Sequence, residues 1–245
     1  MPATVLGLTI WKLSDSAAPA VTQMHGQSQS ADLRRAYLTL LRSSLACGLA
    51  LSVGLLVFSR PAITLWVGAD QYAGDVFTAA VAAVTAIEIV LHLQFVFFIA
   101  RGEIRGFGIA TLVANLLKIA IWLAAGRAIG LGGMMVVAVA VQVPILAYAS
   151  MRLHYSLGIT SGDVFRESLL RPIVIVACCA AFVSIGMMLL PPPNHWPSLV
   201  GWTLAYSVTW AALCWCIGCT SHERAKILAV LQQHLRRWTA HARAA

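Results

Sequence analysis

The sequence predicts an all-α fold, a polytopic transmembrane helix bundle, and composition and pattern both point to it. Hydrophobic residues make up 60% of the 245 residues, whereas charged residues make up only 11%. A soluble domain carries about 25% charged residues, so a core surrounded by water would not bury this much apolar surface. The apolar residues are gathered into stretches about 20 residues long, which is the length of a membrane span. These stretches lack the polar–apolar alternation of barrel strands.

Six stretches have membrane length, and each is expected to be helical because a backbone in lipid must satisfy its own hydrogen bonds. The predicted spans are about 44–66, 74–100, 106–126, 130–150, 172–190 and 198–219. Residues 1–43 are predicted to form a helix stub and a cytoplasmic loop, because the apolar run at 2–13 is too short to cross. Residues 159–171 are predicted to form a short interfacial helix. Pro144 removes a backbone hydrogen bond inside the fourth span and predicts a kink there.

The basic residues predict the orientation of the bundle. Six spans place thirteen arginines and lysines on one side and only Arg60 and Arg127 on the other. The larger set is Arg34, Arg35, Arg42, Arg101, Arg105, Arg152, Arg166, Arg171, Arg224, Lys226, Arg236, Arg237 and Arg243. The positive-inside rule makes that side cytoplasmic. The net charge of +8 is then explained by topology and anionic lipid, so no nucleic-acid partner is expected.

Residues 220–245 are predicted to form a basic amphipathic helix on the cytoplasmic membrane surface. Thr220 and Glu223 have the spacing of a capping box. An apolar stripe follows, made of Ile227, Leu228, Leu231, Leu235 and Trp238. It is flanked by Arg224, Lys226, Arg236 and Arg237. Such a helix binds lipid through its apolar face and its charge, and a partner-binding helix is the alternative.

Ionisable residues inside predicted spans indicate a functional site, because they are costly in lipid. Glu88 and His92 lie in the second span and Lys118 in the third, with Asn115 and Gln142 adding uncharged polarity. In an antiparallel hairpin turning near residue 103, Glu88 falls level with Lys118, and His92 with Asn115. This arrangement is either a structural ion pair that fixes the hairpin register or the wall of a cavity. In the cavity hypothesis Lys118 attracts a phosphate, and Glu88 or His92 carries coupling protons.

Enzymatic chemistry is not expected of this chain. The sequence has no P-loop, nucleophile elbow, HExxH motif or dinucleotide fingerprint. Its six cysteines fall mostly in apolar spans and are expected to pack like small apolar residues. Neither a metal nor a cofactor is therefore predicted.

Three stretches resemble the C-terminal half of polysaccharide flippases of the O-antigen and teichoic-acid type. They are APAV at 18–21 before a polar run at 25–37, SRPAITLWVG at 59–68 before QY at 71–72, and GLGG at 130–133. These flippases belong to the multidrug/oligosaccharidyl-lipid/polysaccharide exporter superfamily. The resemblance covers roughly residues 15–190. It implies export of lipid-linked saccharides across a bacterial inner membrane by alternating access, and it is consistent with cavity roles for Lys118 and Arg60.

The resemblance leaves three hypotheses for the function. The first is a flippase of lipid-linked oligosaccharide or polysaccharide precursors, as a truncated or C-terminal half that would need an N-terminal half or polysaccharide-assembly proteins as partners. The second is a cation-coupled antiporter of small solutes or drugs from the same superfamily. The third is a membrane assembly subunit, or a gene remnant, that transports nothing.

Overall fold

The computed structural model describes the backbone of residues 2–221, 223–225, 228, 229 and 232, and these residues form helices and turns but no strand. The predicted all-α bundle is confirmed. Helix α1 spans Pro2–Gly26, α2 Ser30–Val67, α3 Asp75–Ala100, α4 Ile104–Leu157, α5 Ser161–Leu189 and α6 Trp196–Gly218. The last two contain π-helical segments at Val164–Leu169 and Cys214–Gly218.

Five of the described helices, α2 to α6, are long and apolar enough to cross a membrane. Helix α4 has 54 residues and is interrupted at Gly130, whose φ of 64° and ψ of −176° are not helical. Contacts join the two sides of this break, since Trp122 Nε1 donates to the Met134 carbonyl at 2.8 Å and the Tyr148 hydroxyl lies over Gly106. Helix α4 is therefore two antiparallel arms, 104–129 and 131–157, and each arm alone has the length of a membrane span.

The predicted loop within residues 1–43 is wrong. Helix α1 continues to Gly26, and only residues 27–29 separate it from α2, which begins at Ser30 rather than near residue 44. The polar residues that follow the apolar run at 2–13 lie inside helix α1 as far as Gly26, and Ser14 among them is only 2% exposed. In the first turns of α2, Leu33, Tyr37 and Leu41 recur every four residues and pack into the core as one helical face.

One further prediction about helix boundaries needs correction. The segment 159–171 is not a separate helix. A capping box formed by Thr160 and Asp163 begins α5, and the helix continues through its π-helical segment to Leu189. The backbone at Pro144 is helical, and the non-helical residue of α4 is Gly130; the bend of the helix axis at Pro144 stays a prediction. Pro144 lies on an exposed face of its arm.

Polar contacts gather the predicted cytoplasmic segments at one end of the bundle. Arg34 of α2 pairs with Asp163 at 2.7 Å, Arg42 pairs with Glu223, and Arg101 donates to Ser156. We call this the basic end; it holds Arg34, Arg35, Arg42, Arg101, Arg105, Arg152, Arg166, Arg171 and Arg224. The opposite end contains the turns at 68–74 and 190–195 and the break at Gly130. The predicted grouping is thus observed for the nine arginines that the structure describes, whereas the compartment that this end faces stays a prediction.

Helix α2 stands between two groups of helices and packs against both. Toward the basic end it shares a core with α1, α3 and both arms of α4, in which Tyr37, Leu93, Phe97 and Leu153 are fully buried. Farther along, it shares a second core with α5 and α6. Members of that core are Phe58, Ile175, Cys179, Val183, Leu199, Trp202 and Tyr206. The long helix α2 therefore couples the position of one group to that of the other.

The capping box predicted at the start of the C-terminal tail is confirmed. The Thr220 backbone N–H donates to Glu223 Oε2 at 2.7 Å, and the Glu223 N–H donates to Thr220 Oγ1 at 3.3 Å. Glu223 also accepts from Arg42, which fastens the tail to α2. The remaining membrane-surface residues of the predicted tail, Lys226, Arg236, Arg237 and Trp238, lie outside the described residues.

Acid is expected to release this attachment. Partial burial opposes ionisation of Glu223, but the Thr220 N–H and the charge of Arg42 outweigh it and hold the pKa of the carboxyl below its usual 4.5. A lowered pKa gives stability that is present above pH 4.5 and is lost as the pH falls through the lowered value. The protection factors against hydrogen exchange at residues 220–225, relative to an unstructured peptide at the same pH, should therefore decrease below pH 4.5. Glu223→Gln should give low protection factors at every pH, and the exposed control Glu167→Gln should match the wild type.

Candidate functional site: polar pairs along helix α3

Helix α3 lies between α1, α2 and the second arm of α4, and three of its side chains make polar contacts at depth. Counted from Ala100 at the basic end, Glu88 lies about 18 Å, His92 about 12 Å and Gln94 about 9 Å along the helix axis. In a hydrocarbon core about 30 Å thick, Glu88 is near the middle and His92 slightly nearer the basic end. Each of these side chains pairs with a polar residue of a neighbouring helix.

His92 pairs with a residue of α1. Its Nε2 lies 2.8 Å from Asp15 Oδ1, and its ring stacks on Trp11 with centroids 4.6 Å apart and planes 10° apart. His92 is 19% exposed and Asp15 43% exposed, so the pair lies at the edge of the bundle. Lys12 Nζ lies 3.9 Å from the other carboxylate oxygen. Carboxylate, imidazole and ammonium together allow one proton to be bound or released without leaving an isolated charge.

Glu88, one helical turn before His92, pairs with the second arm of α4. Gln142 Nε2 donates to Glu88 Oε1 at 3.1 Å, and Gln142 is 8% exposed. The Gln142 Oε1 atom is buried and has no hydrogen-bond partner in the part of the chain that the structure describes. An amide can be turned by 180° to present either a donor or an acceptor. Gln142 can therefore donate to an ionised Glu88 or accept from a protonated one.

Two further polar contacts lie toward the basic end. Gln94 Nε2 donates to Ser150 Oγ at 2.8 Å, and Gln94 is only 1% exposed. The Tyr37 hydroxyl of α2 lies 3.4 Å from His154 Nε2. Together with the two deeper pairs, these contacts connect α3 and its neighbours from the middle of the bundle to its basic end.

The predicted pairing of Glu88 with Lys118, and of His92 with Asn115, is not formed among the described residues. Glu88 is paired with Gln142 and His92 with Asp15 instead. The reason is that the second arm of α4 runs parallel to α3 and lies beside it. The first arm meets α3 near the basic end, where Phe98 and Phe107 stack at 5.2 Å, and farther along it packs on the second arm.

The remaining candidate residues lie apart from these pairs. Lys118 Nζ lies 5.5 Å from the ring centroid of Trp122 on the same arm, and Asn115 is exposed. Arg60 lies at the end opposite the basic end, 5.9 Å from the ring centroid of Tyr72. The structure thus assembles Glu88, His92 and Gln142 of the predicted site residues with partners along α3, and leaves the two predicted cations outside the cluster.

Sequence reasoning missed the partners on α1. Trp11 and Asp15 fall in a segment that was predicted to be a stub and a loop. A usable signal was present, because an aspartate four residues after a tryptophan places both on one helical face if the helix continues. Ser150 was missed because a serine in a membrane helix can donate its hydroxyl to a carbonyl of its own helix. A serine in an apolar span therefore does not indicate a partner on another helix.

No family model, curated protein or solved structure matches this chain. The helices and the polar pairs therefore define its class by themselves: an α-helical membrane protein with ionisable side chains paired between helices at depth. Within the part of the chain that the structure describes, no three His, Cys, Asp or Glu residues are placed to hold a metal ion.

Proposed function

We propose that this bundle couples proton movement to export across a membrane, and that its cargo is a lipid-linked oligosaccharide or polysaccharide precursor. The His92–Asp15 pair carries the proposal, because its titratable side chains join two helices at membrane depth, at the edge of a bundle whose helices are long enough to cross a membrane. Ionisable groups at such depth are costly in lipid and typically belong to ion or substrate pathways. The cargo class rests on the resemblance of residues 15–190 to polysaccharide flippases.

The proton would act by changing how firmly α1 is held to α3. A protonated His92 is a cation paired with the Asp15 carboxylate at 2.8 Å. Loss of the proton removes that attraction and leaves Asp15 facing Lys12. Histidine is suited to this role because its charge ordinarily changes between pH 5 and 8. Protonation then shifts the population between a state with α1 bound to α3 and a state with α1 released.

Glu88 and Gln142 extend the same mechanism to α4. Because Glu88 lies one turn from His92 on α3, a movement of α3 relative to α1 is passed to the second arm through the hydrogen bond from Gln142 to Glu88. Gln142 keeps a hydrogen bond to Glu88 in either protonation state by turning its amide. The contact therefore survives a change of protonation, so that α3 and the second arm of α4 move together.

One observation favours the second hypothesis, a cation-coupled antiporter of small solutes. The groups that are assembled, His92–Asp15 and Glu88–Gln142, suit proton chemistry. The cations expected to hold a lipid phosphate, Lys118 and Arg60, lie apart from them and from each other. The geometry supports proton coupling, whereas only the resemblance supports the saccharide cargo. An experiment must therefore determine which compound is transported.

Reconstitution into liposomes tests both parts. A fluorescent polyprenyl-pyrophosphate oligosaccharide is placed in the membrane, and a membrane-impermeant reductant reports how fast it crosses. We expect crossing to accelerate when a pH gradient is imposed. Gradient-driven extrusion of a small cationic dye, without crossing of the saccharide lipid, would identify the antiporter instead. Movement of neither compound, with the bundle correctly folded, would contradict both transport functions and favour the assembly subunit.

A further inference from the structure

An apolar groove separates the two arms of α4. Its volume is about 530 Å³, and its walls include Ala110, Ala114 and Leu117 of the first arm and Ala140, Pro144 and Tyr148 of the second. The groove exists because alanines occupy facing positions, where larger side chains would bring the arms into contact. The Tyr148 hydroxyl lies over Gly106 and marks the end of the groove nearest the basic end.

The groove opens onto the surface of the bundle that meets lipid. Large apolar side chains beside it are exposed, including Leu116 at 58% and Val143 at 48%. Pockets of 300–1,000 Å³ are typical for small-molecule ligands. Within a bilayer, an empty groove would forfeit the dispersion contacts of its lining, so a hydrocarbon chain fills it.

The mouth of the groove at the basic end is cationic and aromatic. Arg152 lies four residues after Tyr148 and therefore continues the groove-lining face of the second arm. It is exposed, and among the described residues it has no ion-pair or hydrogen-bond partner, in contrast to Arg34, Arg42 and Arg101. Tyr155 lies three residues after Arg152 on the same face of the helix and is 89% exposed. An unpaired guanidinium and a tyrosine at a membrane surface match a lipid phosphate.

We propose that the groove is a binding site for an anionic phospholipid, whose acyl chain lies between the arms of α4 and whose phosphate binds Arg152. Tyr148 and Tyr155 flank the glycerol region of the lipid. The bound chain fills the space between the arms and holds the second arm against α3, where Gln142 contacts Glu88. This site is separate from the coupling pair and does not depend on the cargo.

Native mass spectrometry of the full chain in detergent, titrated with phosphatidylglycerol or phosphatidylcholine of identical chains, tests the proposal. We expect phosphatidylglycerol to bind more tightly by about fivefold, the effect of one arginine at a charged membrane surface. Arg152→Gln should abolish this preference, whereas the exposed control Arg166→Gln should keep it. Ala140→Phe, which fills the groove, should weaken both lipids severalfold, whereas Ala177→Phe on an exposed face of α5 should not.

Each variant is compared with the wild type by circular dichroism, and Ala140→Leu replaces Ala140→Phe if the larger side chain prevents folding. Equal binding by the groove-filling variant and its control would overturn the groove as the site. Equal loss of preference in Arg152→Gln and Arg166→Gln would overturn the phosphate assignment. Tighter binding of a polyprenyl phosphate than of phosphatidylglycerol, lost in the same variants, would show that the occupant is an isoprenoid lipid rather than a phospholipid.

Discussion

His92→Gln and Asp15→Asn are each expected to reduce gradient-driven transport by about 10-fold to 100-fold, the range of a typical coupling between two sites. Glutamine and asparagine keep the size and some hydrogen bonding of the native side chains but neither binds a proton near neutral pH. Because both residues serve one proton, the double variant should be no slower than the slower single variant. Transport is measured in liposomes with and without the pH gradient.

Matched controls separate coupling from general damage. His25→Gln lies on exposed α1 surface, and Asp70→Asn lies in the exposed turn before α3; both should transport like the wild type. Thermal unfolding in detergent is measured for every variant. Loss of transport together with an equal loss of stability, restored at low temperature, would show that the His92–Asp15 pair is structural. Transport losses that multiply in the double variant would show that the two residues do not share a proton.

Gly130→Ala is expected to destabilise the bundle by about 1–3 kcal/mol, because its backbone lies in a region that only glycine adopts readily. The φ of 64° and ψ of −176° at Gly130 reverse the chain between the arms of α4. A Cβ atom added there would meet nothing within 4 Å. The cost therefore comes from the backbone alone and not from a clash, and chemical unfolding in detergent measures it.

Gly108→Ala is the matched control for this prediction. Gly108 lies in the first arm of α4, is exposed, and also has open space where a Cβ would stand. Its backbone is helical, so alanine should stabilise the arm by up to about 1 kcal/mol through helix propensity. The two substitutions are chemically identical and should have opposite signs. Equal effects at both positions would contradict the reversal of α4 at Gly130.

Much of the fold was predictable because lipid imposes a simple rule on length and polarity. The ends of α3 at Asp75 and Ala100 differ by a residue at most from the predicted span, and the break at Gly130 coincides with the predicted start of the fourth. The start of α2 was not predictable in this way. Arg34, Arg35 and Arg42 interrupt the apolar run. Their ion pairs, Arg34 with Asp163, Arg35 with Asp32 and Arg42 with Glu223, show how a helix carries them.

The candidate site was predictable in its residues but not in its partners. Glu88, His92 and Gln142 stand out because polar side chains are rare inside spans. Their pairing was assigned by assuming that consecutive helices lie side by side along their full length. The second arm of α4 displaces the first from the side of α3, so Gln142 rather than Lys118 reaches Glu88. Such a displacement depends on packing between distant segments, which the local pattern does not contain.

Proton movement through the His92–Asp15 pair is the central claim, and a pH-sensitive dye enclosed in liposomes tests it most directly. Addition of the transported compound to liposomes that contain the wild-type protein, with no gradient imposed, is predicted to change the internal pH at a rate proportional to the protein present. Liposomes with His92→Gln or Asp15→Asn should show no change above empty liposomes. Transport by the wild-type protein without any change of internal pH, or an undiminished pH change in His92→Gln, would contradict the account.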